Sequence, residues 1–467
     1  METNKRIFPS YQLSVADYII GGALLLFCFF AFYEPDLNTT GWNSLNFLYG
    51  SPLDFYENCK KIQGRGTYLL ANYPPSLFAT FALWFYPFKL LGLIKSPLYF
   101  PAYLAYWMKA LTSLVYAATG LVFYRVTQCY NQNKKWGVYA TWLWLTTPIA
   151  VCSQFIYAQY DIFYVFFTVI GFLFFLRKRI FLASFIFGLA ITFKYFPIVI
   201  FLPLLLFFEK NIFRLILAIF LFAIPMFIMQ KLYGHSPAYI LGVLRFGVIY
   251  YLFTTHIDFF AYEVKVYYIF LIFSLLCCYC YYLDFTGNYK KVASYILLFG
   301  SIFPFLFLFW HPNWLLLSTP GIILTTVLGK QDRVARLLLI DLFGMFCFIA
   351  YNVTLKAYQN IFDLALFHPD LFHIPFKFSF NMANFFEKFF GEYKIFSWNI
   401  YFSLFLGYLI FQLVIKYKSM NIVYIKKSKN YLYRDVRINY YMGISIFLIP
   451  AIFSFITNNH ANIAGLF

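Results

Sequence analysis

Charge is what this chain has least of. Only 12% of its 467 residues are Asp, Glu, Lys or Arg, while 62% are hydrophobic and 25% are aromatic. So few charges cannot cover the surface of a soluble globule, which excludes that class. Acids are scarcer than bases, 18 against 36, and the net charge is +18. In a soluble protein that excess would suggest nucleic acid. Here the bases lie in short loops between apolar runs, where they orient helices, so no nucleic-acid partner is expected. No glycine-rich phosphate loop is present, which leaves a nucleotide without a cradle. No linker, low-complexity tract or inverted repeat is found, and the lack of a repeat disfavours a transporter. The 8 cysteines are scattered, and Cys277, Cys278 and Cys280 share an apolar run without histidines or a second pair at zinc spacing. They read as small core residues, and no disulfide framework is implied.

What the chain does have is apolar runs of about 17 to 25 residues, the length a helix needs to cross a hydrocarbon layer roughly 30 Å thick. Only helices satisfy their own backbone groups there, so the expected fold is an all-α polytopic membrane protein. The expected spans are 18–33, 102–126, 137–156, 161–177, 212–231, 266–284, 292–310, 313–329, 337–354, 397–415 and 438–457. The first follows Lys5 and Arg6 and lacks a convincing small-residue cleavage site, so it reads as a retained span.

Most of the Lys and Arg fall in loops 125–136, 177–179, 209–214, 287–291, 330–336 and 416–437, which places those loops and the N-terminus in the cytoplasm. This sidedness forces two irregularities. The apolar segment 75–94 lies on the outer surface or re-enters it, with Lys89 and Lys95 at the headgroups. Residues 180–208 begin and end at inward basic clusters, too short a stretch for two crossings, so they form a broken hairpin with Lys194 to Pro197 near its tip. The result is a single transmembrane domain, 1–467, with outward segments 34–101, 232–265 and 355–396, multi-pass in the plasma membrane.

Acidic residues concentrate on the outward side. In Glu34-Pro35-Asp36 the proline stiffens a turn that could hold two carboxylates at a cavity rim, one accepting a proton from a hydroxyl, the other orienting it or helping to bind a cation. The alternative is ordinary exposed loop charge. Tyr73-Pro74-Pro75 locks the start of the next helix. Gln159-Tyr160-Asp161 sits in a tight turn, where Asp161 serves either a ligand or the helix as its N-cap. Lys194 is a cation inside an apolar run, which implies an anionic partner or a wet cavity, with snorkelling to an interface as the alternative. A lipid phosphate would suit it. In Trp310-His311-Pro312-Asn313-Trp314 an imidazole stands between two indoles, able to donate to phosphate or sugar.

Taken together these positions resemble the GT-C class of integral membrane glycosyltransferases, in particular the mannosyl- and glucosyltransferases that use polyprenyl- or dolichyl-phosphate sugars. The likeness rests on Glu34 and Asp36, on Gly50-Ser51-Pro52-Leu53-Asp54-Phe55-Tyr56, on Tyr73-Pro74-Pro75, on Gln159-x-Asp161, on Lys194-x-x-Pro197 and on His311-Pro312, and spans roughly the first 330 residues. The resemblance implies a bundle of about 11 to 13 transmembrane helices with a long first outer loop. It also implies inverting transfer of a hexose from a polyprenyl-phosphate sugar to a glycan or glycolipid acceptor. Carried onto this chain, it makes Asp36 the candidate base and Glu34 its neighbour. Lys194 and His311 become phosphate contacts, and Gln159 and Asp161 contacts to sugar or acceptor; Tyr73 and Arg65 join the substrate-binding set. Much of the class has its acids adjacent or as Asp-x-Asp, whereas here they are Glu-Pro-Asp, which leaves open which carboxylate is the base. The chemistry allows a divalent cation without requiring one. Two other readings use the same features: a flippase for a lipid-linked saccharide, and a polysaccharide polymerase or ligase.

Overall fold

The computed structural model describes residues 13–33, 36–63, 71–94, 100–130, 134–158, 160–244, 256–259, 264–283, 289–306, 312–329, 331–354, 398–420 and 441. Glu34, Arg65, Gln159, His311 and the segment 355–396 lie outside the described residues.

In chain order the helices are α1 (Val15–Ala31), α2 (Asp36–Tyr49), α3 (Phe55–Gln63), α4 (Pro75–Leu90), α5 (Ala102–Gln128), α6 (Lys134–Thr146), the short α7 (Pro148–Val151) and α8 (Ile162–Leu176). There follow α9 (Ile180–Ile191), α10 (Ile198–Phe208), α11 (Ile212–Tyr233), the single turn α12 (Pro237–Tyr239), α13 (Tyr268–Tyr282), α14 (Tyr289–Ile302), α15 (Thr319–Val327), α16 (Gln331–Thr354) and α17 (Trp398–Met420). Besides helix, the described residues hold one antiparallel hairpin, β1 (His256–Phe259) with β2 (Val264–Tyr267), in which Ile257 faces Val266. Two helices among the described residues, Tyr103–Gln128 and Ile212–Tyr233, are long and apolar enough to cross a bilayer, and several shorter apolar helices accompany them. The architecture is that of an all-α polytopic membrane protein.

The chain divides into two compact units, one of residues 1–34, 130–158 and 318–467, the other of residues 35–129 and 159–317. In the first unit, α1 opens on a reciprocal cap: Asp17 N donates to Ser14 Oγ (3.3 Å) and Ser14 N to Asp17 Oδ2 (2.8 Å). The expected span 137–156 is not continuous. It stops at Thr146, restarts as α7 at Pro148 and ends in a π-helical turn over Cys152–Ile156. A proline has no N–H to give and its ring meets the carbonyl four residues back, so the helix breaks there. Trp144 Nε1 then donates to Thr319 Oγ1 (3.1 Å), which ties α6 to α15.

The described residues of the segment 34–101, expected as loop with one interfacial helix, include three helices, α2, α3 and α4. Helix α2 escaped the hydropathy reading because its packed face is polar: Thr40, Asn43, Ser44 and Asn46 are all buried. Helix α4 starts on Pro75 at its first position, as expected. It is latched to α5 by two stacked indoles, Trp84 and Trp107, centroids 4.4 Å apart. Each ring donates to the other residue's carbonyl, at 2.7 and 2.8 Å. Lys89 donates to Leu48 O (2.9 Å) and lies over the Tyr49 ring.

Residues 180–208, expected as a broken hairpin, hold two helices, α9 and α10, that flank a turn at 192–197. At 1.5 Å per residue the two arms are about 18 and 16 Å long, each well short of a crossing. The hairpin's base is closed by polar groups. Glu209 accepts from the Lys210 and Asn211 amides and pairs with Arg214 (3.0 Å), and Asn211 caps α11 through the Phe213 and Arg214 amides. Lys210 Nζ donates to the carbonyls of Leu206 and Cys280, at the C-terminal ends of α10 and α13, where helices leave carbonyls unpaired.

A layer of aromatic residues joins α3 to the stretch after α11. Phe55, Tyr56, Cys59, Phe78, Tyr233, Ala238, Tyr239 and Val243 are buried together. Beside them Glu57 Oε1 accepts from Ser236 Oγ (2.8 Å) and from Ala238 N (2.9 Å). The Ala238 and Ser236 hydrogen bonds hold the Glu57 carboxyl below its ordinary value. A carboxyl lowered in the folded state contributes stability above its unfolded pKa and loses it as pH falls through the folded one. Protection of the Ala238 amide, measured by hydrogen exchange corrected for intrinsic rates, is therefore expected to fall at pH values below the usual glutamate range. Glu57→Gln is expected to remove that acid-dependent loss.

Candidate active site

The sharpest expectation was that Asp36 and Lys194 serve one pocket, and the second unit holds both. Asp36 begins α2, where a carboxylate favours the positive end of the helix. Thr40 is one turn on, so both residues lie on the same face. Thr40 Oγ1 donates to the Tyr160 hydroxyl (3.0 Å). The Tyr160 phenol is pushed well above the ordinary tyrosine value, first by burial, then by neighbouring Tyr73 and by the negative charge of Asp36. The field of Asp36 thus reaches the turn that carries Asp161.

Asp161 precedes α8 at the N-cap position, yet its side chain makes no cap hydrogen bond. The carboxylate is used elsewhere. Oδ1 takes Lys194 Nζ at 2.6 Å, and Oδ2 takes Asn313 Nδ2 at 2.5 Å. Lys194 does not snorkel to an interface: its side chain is 11% exposed and Asp161's is 2% exposed. Two buried charges are tolerated when they neutralise each other and find further hydrogen bonds, which Asn313 supplies.

Four rings surround the ammonium. Its nitrogen lies 4.7 Å from the Trp314 ring centroid, 5.6 Å from Tyr164, 5.7 Å from Tyr73 and 5.9 Å from Phe196. All fall within the roughly 6 Å over which a ring face attracts a cation. The rings brace one another: Tyr73 meets Tyr160 edge-on at 4.8 Å, Phe196 meets Trp314 at 5.2 Å, and the Tyr164 hydroxyl donates to Trp314 O (3.4 Å). Tyr73 is held from outside the box by Tyr56, whose hydroxyl donates to Tyr73 O (2.7 Å).

Of the candidate residues read from the sequence, Tyr73 and Asp161 both contact Lys194, while Asp36 lies one helical turn before Thr40, the residue bonded to Tyr160. Glu34, Gln159, His311 and Arg65 lie outside the described residues. The sequence reading passed over Tyr160, Thr40 and Asn313. Asn313 is 152 residues from Asp161, so no local pattern in the sequence pointed to it. Among the described residues no three His, Cys, Asp or Glu side chains gather as a metal site.

Residues 72–256 match glycosyltransferase family 87. The match indicates a glycosyltransferase and is consistent with the GT-C type. It takes in Tyr73, Tyr160, Asp161 and Lys194, while Asp36, Asn313 and Trp314 lie beyond its ends. No curated protein matches the chain.

Proposed function

We propose that the chain transfers a hexose, mannose or glucose, from a polyprenyl-phosphate sugar to a glycan or glycolipid acceptor on the outer face of the plasma membrane. The observation that carries this reading is the buried Lys194 ammonium, boxed by aromatic rings in the unit that also holds Asp36. Asp161 takes one of the ammonium's three N–H groups, and the others can meet a phosphate oxygen. In the matched family the activity requires a sugar donor and an acceptor, and a lipid phosphate leaves readily once its charge is met by a cation in a dry cavity.

In the proposed step an acceptor hydroxyl attacks the anomeric carbon from the face opposite the phosphate. The new carbon–oxygen bond forms as the bond to the phosphate oxygen breaks, and the configuration inverts. The acceptor's proton passes to Asp36, with Glu34 beside it in sequence. Lys194 and His311 receive the charge growing on the lipid phosphate. Asp161 and Asn313 hold Lys194 in place, and Gln159, Tyr73 and Arg65 complete the contacts to sugar and acceptor.

Asp36→Asn keeps the shape and removes the base. Transfer from polyprenyl-phosphate mannose or glucose by the purified protein is expected to drop by about 10² to 10⁴, the usual worth of a positioned base, with unchanged thermal stability. Transfer at the wild-type rate would remove Asp36 from the mechanism.

A further inference from the structure

The first unit contains a second buried polar cluster, on helices the proposed transfer does not use. Asp341 on α16 is 7% exposed, and Gln412 and Lys416 on α17 are fully buried. Asp341 Oδ1 accepts from Tyr408 Oη (3.0 Å) and from Gln412 Nε2 (2.6 Å). Tyr408, Gln412 and Lys416 are spaced by four, so they form one stripe of α17. The helices come close because Gly344, three residues beyond Asp341, has no side chain: a Cβ there would stand 2.4 Å from the Tyr408 ring.

Two buried atoms of this cluster have no hydrogen-bond partner among the described residues, Asp341 Oδ2 and Gln412 Oε1. Both are acceptors as drawn, and they belong to two side chains already joined by one hydrogen bond. A buried acceptor left bare loses its hydration without replacement. One proton repairs both at once. We propose that Asp341 is a neutral acid and forms a cyclic acid–amide pair with Gln412, its Oδ2–H donating to Gln412 Oε1 while Gln412 Nε2–H donates to Asp341 Oδ1. Oδ1 then acts as the acid's carbonyl oxygen, whose two lone pairs take Gln412 and Tyr408.

The charges nearby allow this. Lys416 is the cation of the stripe and favours a carboxylate, but its ammonium is engaged on α15, where it donates to Ile322 O (2.9 Å) and to Thr326 Oγ1. A carbonyl and a hydroxyl thus share the ammonium as neutral acceptors. Among the described residues Asp341 forms hydrogen bonds to the neutral side chains of Tyr408 and Gln412, and α7 consists of Pro148, Ile149, Ala150 and Val151, none of them titratable. In hydrocarbon a neutral acid costs far less than an anion. The site's ligand is therefore a proton, and the pair is an uncharged clasp between α16 and α17.

The test uses the full chain in lipid nanodiscs. The difference infrared spectrum of wild type minus Asp341→Asn is expected to show the carbonyl stretch of a protonated carboxylic acid, shifted in D₂O. Asparagine offers an N–H to Gln412 Oε1 and an oxygen to Gln412 Nε2, so Asp341→Asn is expected to keep the wild-type Tm. Asp341→Leu breaks both bonds and is expected to lower Tm by several degrees. A spectrum without the acid band overturns the proposal, as does an Asp341→Asn Tm as low as that of Asp341→Leu. A wild-type Tm that rises specifically with sodium or potassium chloride also overturns it, since the two oxygens then hold a metal cation.

Discussion

Lys194→Met is expected to destabilise the protein by about 3–5 kcal/mol and to abolish transfer, because it leaves the Asp161 carboxylate buried without its counter-charge. Asp161→Asn is expected to cost a similar amount for the mirrored reason, an ammonium left among four rings with no anion. The double variant Lys194→Met/Asp161→Asn separates the pair's two roles. It contains no charge, and Asn313 still finds an amide oxygen at position 161, so most of the lost stability is expected to return. Transfer is expected to stay lost, since no cation remains to meet a leaving phosphate. Thermal unfolding in detergent gives the first quantity and transfer from a polyprenyl-phosphate sugar the second. A double variant that regains both would make the pair a structural feature only and would take Lys194 out of the proposed chemistry.

That prediction rests on a residue visible in the sequence, and the reason it was visible shows what else was. A charge inside an apolar run is expensive, so it announces a partner or a cavity. Applied to Lys194, the rule expects an anionic partner or a wet cavity, and Asp161 is such a partner. Applied evenly, it would also have singled out Asp341 and Lys416, which sit within the expected spans 337–354 and 397–415 or at their edge. The break between α9 and α10 was legible for a similarly coarse reason: basic clusters at both ends of 180–208 leave too few residues for two crossings. Helix α2 was not legible, because hydropathy measures affinity for hydrocarbon while α2 buries Thr40, Asn43, Ser44 and Asn46 against other protein. The partner of Asp161 could not be chosen from sequence either. Lys194 is 33 residues away and Asn313 is 152 away, and no local periodicity relates them.

The other large effect concerns how the turn bearing Lys194 is held. Six residues before it on α9, Gly188 lies against α11 so closely that a Cβ would stand 2.4 Å from the Phe222 carbonyl oxygen and 3.2 Å from its Cα. These are backbone atoms of a 22-residue helix and cannot swing aside as a side-chain tip does. Small residues permit such crossings between apolar helices, where dispersion and close approach replace the hydrophobic drive. The crossing is further filled by Phe201 and Phe222, stacked 4.1 Å apart, and by Phe187 packed on Phe201. Gly188→Ala is therefore expected to force α9 away from α11 at a cost of about 1–3 kcal/mol, the range for an overpacked core. Gly188→Leu is expected to lose the folded state in detergent. Because α9 leads straight into the turn at 192–197, the alanine variant is also expected to lose transfer out of proportion to its stability. Gly407→Ala on α17 is the control: among the described residues nothing lies within 4 Å of the added carbon, so the better helix former is expected to leave stability unchanged or raise it by up to about 1 kcal/mol. If Gly188→Ala melts with wild type and transfers normally, the two helices do not touch as described and the position of Lys194 does not depend on their crossing.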